Sequence, residues 1–216
     1  MNPVIGVLAL QGAFAAHADS LRRCGATTCE VRTPADLRDV QALVMPGGES
    51  STMSQLLESS GLFDAVADRI ASGMAVFGTC AGMILLSSEI LDGRPDQRSF
   101  GALDISVRRN AFGRQVDSFE SDIDTPQGTF HGVFIRAPRI ERVGLGVEVM
   151  GSLRGEPVLV RRGNVLAASF HPELAGDDRL HGYFVSLVNP AAPAGETGAA
   201  VPRPGEPSIR ETIREG

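Results

Sequence analysis

Ala75-Val76-Phe77-Gly78-Thr79-Cys80-Ala81-Gly82-Met83-Ile84-Leu85-Leu86 is the stretch on which the fold turns. The apolar run Ala75 to Gly78 reads as a buried strand, and Ala81 to Glu89 as a helix. Between them stands Cys80, with glycine two residues away on either side, the spacing of a nucleophile elbow with Cys in place of Ser. Working back from the elbow, Leu62 to Ser72 and Ser51 to Glu58 are helical patterns split by Gly61. Ala42 to Met45 is a buried strand ending in Pro46-Gly47-Gly48, and Thr28 to Arg32 is a short strand. Phe14 to Cys24 reads as a helix and Val4 to Leu10 as an apolar strand of the kind buried on both faces. The first half is therefore βαβαβαβα, which predicts a parallel sheet flanked by helices, an α/β fold.

Beyond the elbow the pattern changes. Ile105 to Val107, Gly128 to Ile135, Val147 to Ser152, Pro157 to Arg161 and Val165 to Ser169 are strand-like with Gly-rich turns, which predicts an antiparallel or mixed extension. A helix over Asp178 to Val188 closes a domain of residues 1–188. The tail 189–216 is rich in Pro, Ala, Gly and Glu and is expected to be disordered, apart from a short helical pattern near Ser208 to Arg214.

The 216 residues suffice for one domain with a sizeable core. The net charge is −6, all basic residues are Arg and aromatics make up 5%, a poor composition for binding nucleic acid. No apolar run approaches the ~20 residues of a membrane span. The start, MNPVIGVLALQG, has neither a basic leader nor a small-residue cleavage site and reads as the first strand. Three cysteines argue against a disulfide framework and fit a reducing compartment, so the expected location is cytoplasmic.

Three pieces carry chemistry. At the elbow, a sharp strand-to-helix turn lifts the Cys80 thiol above the sheet, the helix N-terminus favours thiolate, and the Ala81 N–H points where an oxyanion would form. The rival reading is a buried structural cysteine. In Phe170-His171-Pro172-Glu173, His171 follows a strand, where open α/β sheets place their ligands, and Glu173 lies two residues on with Pro172 restricting the geometry between them. A base and its orienting acceptor are what a cysteine nucleophile requires; the rival is a surface His beside a solvated Glu. In Pro46-Gly47-Gly48-Glu49-Ser50-Ser51-Thr52, adjacent glycines at a strand end expose backbone N–H groups, as an oxyanion hole requires. A phosphate loop ranks lower because the Lys of that motif is missing, and an ordinary capped turn remains. All three fall at C-terminal strand ends of one predicted sheet and would converge on one crevice.

A Gly-Gly loop, a G-x-C-x-G elbow and a His-Pro-Glu ending, in that order, resemble the class I, or triad, glutamine amidotransferases. Leu8-Ala9-Leu10-Gln11-Gly12, the run Arg109-Asn110-Ala111-Phe112-Gly113-Arg114-Gln115-Val116-Asp117-Ser118-Phe119-Glu120 and Phe134-Ile135-Arg136-Ala137-Pro138 narrow the resemblance to the glutaminase subunits of pyridoxal 5′-phosphate synthase. It covers nearly all of Val4 to Val188 and implies a flavodoxin-like three-layer fold. It also implies hydrolysis of L-glutamine to glutamate and ammonia by Cys80, with His171 as acid–base and Glu173 orienting it. Gly48 and Ala81 N–H groups would form the oxyanion hole. Gly47, Gly48, Glu49, Arg109, Ile135 and Arg136 would contact glutamine, Ile135 through its backbone. An Arg suits the substrate carboxylate and Glu49 its ammonium, although spacing alone does not choose Arg109 over Arg108. The implied partner is a (β/α)8-barrel synthase subunit in a hetero-oligomer, to which the ammonia passes. Gln11 is carried over as an interface or oxyanion-organising residue. No cofactor is implied.

Cys24 and Cys29 have the wrong spacing for a zinc or redox pair and read as small core residues. His17 and His181 in predicted helices, and His131 in a strand, read as structural or exposed, and no metal site is indicated. The competing functions are a glutaminase serving another acceptor, a non-catalytic regulatory subunit on the same fold, and a cysteine hydrolase of peptides or γ-glutamyl conjugates.

Overall fold

The computed structural model describes residues 2–109, 111, 118–125 and 128–188. The expected disordered tail, its short helix and most of the 109–120 run lie outside the described residues.

Five strands, β1 (Val4–Leu8), β2 (Thr27–Val31), β3 (Ala42–Met45), β4 (Ala75–Thr79) and β12 (Val165–Ala168), run parallel in the order β2-β1-β3-β4-β12. Counted along the chain, that is the 2-1-3-4-5 order of flavodoxin-like sheets. The sheet continues antiparallel through β11 (Glu156–Arg162), β10 (Glu148–Leu153), β7 (Ser118–Thr125) and β8 (Gly128–Ile135). A second sheet joins β5 (Ser87–Ile90), β6 (Leu103–Arg108) and β9 (Arg139–Val143).

The central strands are apolar at every position because both faces are covered. In β3, Ala42 and Val44 pack toward α1 (Phe14–Arg23) and α5 (Arg179–Val188), alongside Leu21 and Phe184. Leu43 and Met45 pack toward α2 (Ser50–Ser59), α3 (Leu62–Ala71) and α4 (Ala81–Leu86), alongside Met53, Val66 and Met83. Helices α2 and α3 are separated where Gly61 takes a left-handed φ of 71°, a conformation that costs glycine little.

Three expectations need correction. The helix from Ala81 stops at Leu86, three residues short: Ser87 turns extended, its hydroxyl donates to the Ile84 carbonyl at 2.7 Å, and Ser87–Ile90 pairs with β6 instead. Strands β7 and β9 were not foreseen: in the charged sequence of β7 only Ile123 is buried, so the alternation that marks a strand is faint. Cys24 and Cys29 are half-buried and free, at the margin of the packing and not in its core.

Parallel strands bring their C-terminal ends to one edge. The segments after β1, β3, β4 and β12 all open there, and the antiparallel succession from β12 brings the end of β8, at Ile135, to the same edge.

Candidate active site

The elbow is built as its sequence requires. Cys80 sits at φ 49°, ψ −105°, a strained conformation for a residue with a side chain, at a cost of about 1–3 kcal/mol. Its N–H donates to the Ala168 carbonyl at 2.8 Å, tying the strained residue to β12. The flanking glycines let the elements touch. A Cβ on Gly78 would lie 2.6 Å from the Gly82 carbonyl carbon, and one on Gly82 would collide with the carbonyl of Met45. Cys80 is buried but lines a cavity of about 460 Å³ at the sheet's edge.

His171 leaves β12 and donates its backbone N–H to the Val133 carbonyl at 2.8 Å. Pro172 then starts a short 3₁₀ turn, Pro172–Leu174, that folds Glu173 back under the ring. His171 Nδ1 lies 2.8 Å from Glu173 Oε1. Burial lowers the His171 pKa, but hydrogen bonds to Cys80 and Glu173 overcome it and push it up to about 10. Burial likewise raises Glu173, yet the hydrogen bond from His171 holds its pKa below the ordinary carboxylate value. The sulfur on one side and the carboxylate on the other thus favour the charged form of the imidazole.

Behind Glu173 lies a group of residues that sequence reasoning placed elsewhere. His17 of α1 and His181 of α5 are both fully buried. His17 Nε2 lies 3.2 Å from Glu173 Oε2 and 3.1 Å from Thr79 Oγ1, and its Nδ1 lies 3.0 Å from His181 Nε2. Burial pushes the two histidines down to about 4 and about 3. His17 thus touches Glu173 directly, and His181 touches His17. The available signal was helical register, which sets His17 with Leu21, and His181 with Phe184, on buried faces.

The Gly-Gly loop closes the other wall. A Cβ on Gly47 would overlap His171 Cε1 and lie 3.3 Å from Cys80 Cβ. The Gly47 carbonyl in turn packs against Gly12, whose φ of 90° and missing Cβ permit the approach. Gln11 does not line the cavity; its side chain lies behind Gly48, 3.5 Å from where a Cβ would stand, with Oε1 buried and without a hydrogen-bond partner. Ala81 is fully buried as the first residue of α4.

Glu49 caps α2. Its carboxylate accepts from the Thr52 N–H at 2.7 Å, the Ser51 N–H at 3.3 Å and both hydroxyls. Burial raises its pKa, but these hydrogen bonds bring it down to about 2. Arg109 Nη2 donates to the same carboxylate at 2.9 Å, and its Nη1 to Gln97 Oε1 at 3.2 Å. Ile135 presents its carbonyl 4.0 Å from Cys80 Sγ, and Arg136 follows at a left-handed φ of 45°. Gly47, Gly48, Glu49, Arg109, Ile135 and Arg136 all line the one cavity with Cys80 and His171.

A parallel sheet of this order, with a cysteine elbow, a His–Glu pair and a glycine loop at one edge, has the architecture of the class I glutamine amidotransferases. Comparison with known proteins narrows this. The model of the SNO glutamine amidotransferase family matches residues 7–189, and the chain belongs to that family. "Pyridoxal 5′-phosphate synthase subunit PdxT" of Mycobacteroides abscessus is 55% identical over 190 residues, 87% of this chain and 98% of that one. The protein of the same name from Salinispora arenicola is 55% identical over 197 residues, 88% of this chain and 98% of its own. A crystal structure of a glutamine amidotransferase superposes with a TM-score of 0.81 at 53% identity, over 85% of this chain and 98% of the other.

Proposed function

We propose that the chain is the glutaminase subunit of a pyridoxal 5′-phosphate synthase, with Cys80 as nucleophile, and that it passes its ammonia to a (β/α)8-barrel synthase subunit for vitamin B6 synthesis. The observation that carries the chemistry is the 2.8 Å His171–Glu173 pair beside the strained Cys80 in one open cavity. As the first step begins, the Cys80 thiol proton passes to His171. The Cys80 sulfur attacks the side-chain amide carbon of glutamine, and the oxyanion is met by the N–H groups of Gly48 and Ala81. As the C–N bond breaks, His171 gives its proton to the leaving nitrogen and ammonia departs. Neutral His171 then takes a proton from water, which attacks the γ-glutamyl thioester; glutamate leaves as the Cys80 sulfur takes that proton back from His171.

Arg136 and Arg109 are the cations available to the substrate carboxylate. Glu49 is the anion for its ammonium, although much of its hydrogen-bonding capacity is spent on capping α2 and holding Arg109. Gln11, packed behind Gly48, suits an oxyanion-organising role. No described helix is long and apolar enough to cross a membrane; we place the protein in the cytoplasm, where its three free cysteines would stay reduced.

The test is ammonia release from L-glutamine by the chain alone and with a pyridoxal 5′-phosphate synthase barrel subunit. Release is expected to be weak alone, to rise with the barrel, and to vanish in Cys80→Ala. Failure of the barrel to stimulate release would assign the ammonia to another acceptor. Undiminished release by Cys80→Ala would remove Cys80 from the chemistry.

A further inference from the structure

We propose that His17 is a positioning residue of the triad, its protonated Nε2 edge facing the second carboxylate oxygen of Glu173, and that His181 fixes the tautomer which makes this possible. The inference rests on the triad reading above and adds to it two residues on separate helices.

Glu173 Oε1 is satisfied by His171, but Oε2 is fully buried and finds no hydrogen-bond donor of good geometry. An ionised carboxylate oxygen without a donor in a dry interior is costly. His17 Nε2, 3.2 Å away, is the polar group that faces it, and a proton there offsets the charge.

Counting protons decides the direction. The two rings present four nitrogens, and both rings are neutral, since burial holds their pKa values near 4 and 3. There are therefore two N–H groups to distribute. With His17 protonated on Nε2, that ring edge meets Thr79 Oγ1 at 3.1 Å and stands 3.2 Å from Glu173 Oε2. His17 Nδ1 is then an acceptor and takes the Nε2–H of His181 at 3.0 Å. One nitrogen is left over, His181 Nδ1, which is buried without a partner. In this arrangement it is a bare lone pair, which is tolerated better than a buried orphan N–H. The opposite arrangement points a His17 lone pair at the carboxylate and leaves His181 Nδ1 as an orphan donor. It is wrong at both ends of the chain.

The surroundings favour the same polarity. Phe77 walls both rings, with centroids 6.4 Å from His17 and 5.9 Å from His181. On the side of α5 the nearest charges are Asp178 and Arg23, locked to each other at 2.6 and 2.8 Å. On the other side of Glu173 stand His171 and, beyond it, Cys80. The ring protons thus point in one direction, from α5 through α1 toward the carboxylate that orients the acid–base.

The consequence is specific. Without the His17 proton facing it the charged form of Glu173 loses support, so Glu173 protonates at a higher pH. His17 is absent from the cavity lining, so substrate binding is spared.

Nitrogen NMR of the full chain, labelled with ¹⁵N-histidine at neutral pH, reads the tautomers without any variant. Both His17 and His181 are expected to be neutral with the proton on Nε2; a proton on His17 Nδ1 overturns the proposal. Kinetics of the barrel complex supply the second readout. In His17→Phe, kcat is expected to fall about ten- to a hundredfold, the scale for residues that orient a functional group from behind. KM should change little, and the acid limb of kcat/KM should move up by about one pH unit. His17→Gln, which keeps an amide N–H at the same reach, should recover most of kcat. A His17→Phe enzyme with wild-type kcat and acid limb, or a Gln variant as impaired as the Phe variant, refutes the positioning role. If the wild-type complex releases no ammonia, the glutaminase reading fails, while the resonances still decide the proton arrangement.

Discussion

At Gly47 a single hydrogen occupies the space between the base and the nucleophile. Any Cβ there would overlap His171 Cε1 and press on Cys80 Cβ. Gly47 has no left-handed φ, so an alanine would be sterically costly without straining the backbone. Gly47→Ala is therefore expected to leave a folded protein in which His171 is displaced. An error on the order of 1 Å in a reacting group costs roughly a hundredfold in rate. Ammonia release, with circular dichroism to verify folding, checks this; an alanine variant with wild-type turnover would mean that the ring does not need its present position. The residues of the proposed triad could be singled out in the sequence because Cys80, His171 and Glu173 each sit in a short pattern whose spacing has a mechanical reason. His17 and His181 could not. A histidine on the buried face of a helix looks the same whether it faces a phenylalanine or a buried carboxylate, and only the packing of α1 against α5 and the 3₁₀ turn distinguishes them.

At the scale of elements, readability followed burial. The strands β1, β3, β4 and β12 are apolar runs because helices cover both faces, and they stand out against their flanks. Their turn residues place the elbow and the Gly-Gly loop correctly at C-terminal strand ends. The extension was seen in outline, but β7 was missed because its Ser, Glu and Asp residues face solvent on alternate positions and only Ile123 is buried. The end of α4 was missed for another reason. Ile84, Leu85 and Leu86 are buried all round, so neither helical nor strand periodicity is visible, and the change at Ser87 comes from pairing with a strand distant in sequence. What the sequence could not contain was the use made of Glu49: a carboxylate expected to face substrate is held by the first turn of α2 and by Arg109.

For the whole molecule, the buried histidines set the pH dependence of stability. His17 and His181 have folded pKa values lowered to about 4 and about 3 from an ordinary 6.5. As pH falls below 6.5 the unfolded chain takes up two protons that the fold refuses, so stability drops by about 1.4 kcal/mol per pH unit for each group. Glu173 acts in the same direction: its pKa is lowered, so its contribution is present above the unfolded value and lost as pH falls through the folded one. His171 has the opposite sense. Its pKa is raised to about 10, so its contribution is complete below 6.5 and is lost as pH rises through about 10. Denaturant titrations at about pH 5, 7 and 9 should give a maximum near neutrality with the steeper fall on the acid side. A profile level from pH 7 to pH 5 would mean that the two histidines are not buried in their neutral form.

The proposed chemistry depends on Cys80 carrying the acyl group. The most direct measurement is acid quenching of the chain during glutamine turnover with its barrel partner, followed by peptide mass spectrometry. One γ-glutamyl group is expected on the peptide that contains Cys80, and none in His171→Asn or without glutamine. Turnover with the acyl group on Cys24 or Cys29, or steady turnover that Cys80→Ala leaves intact, would contradict the account.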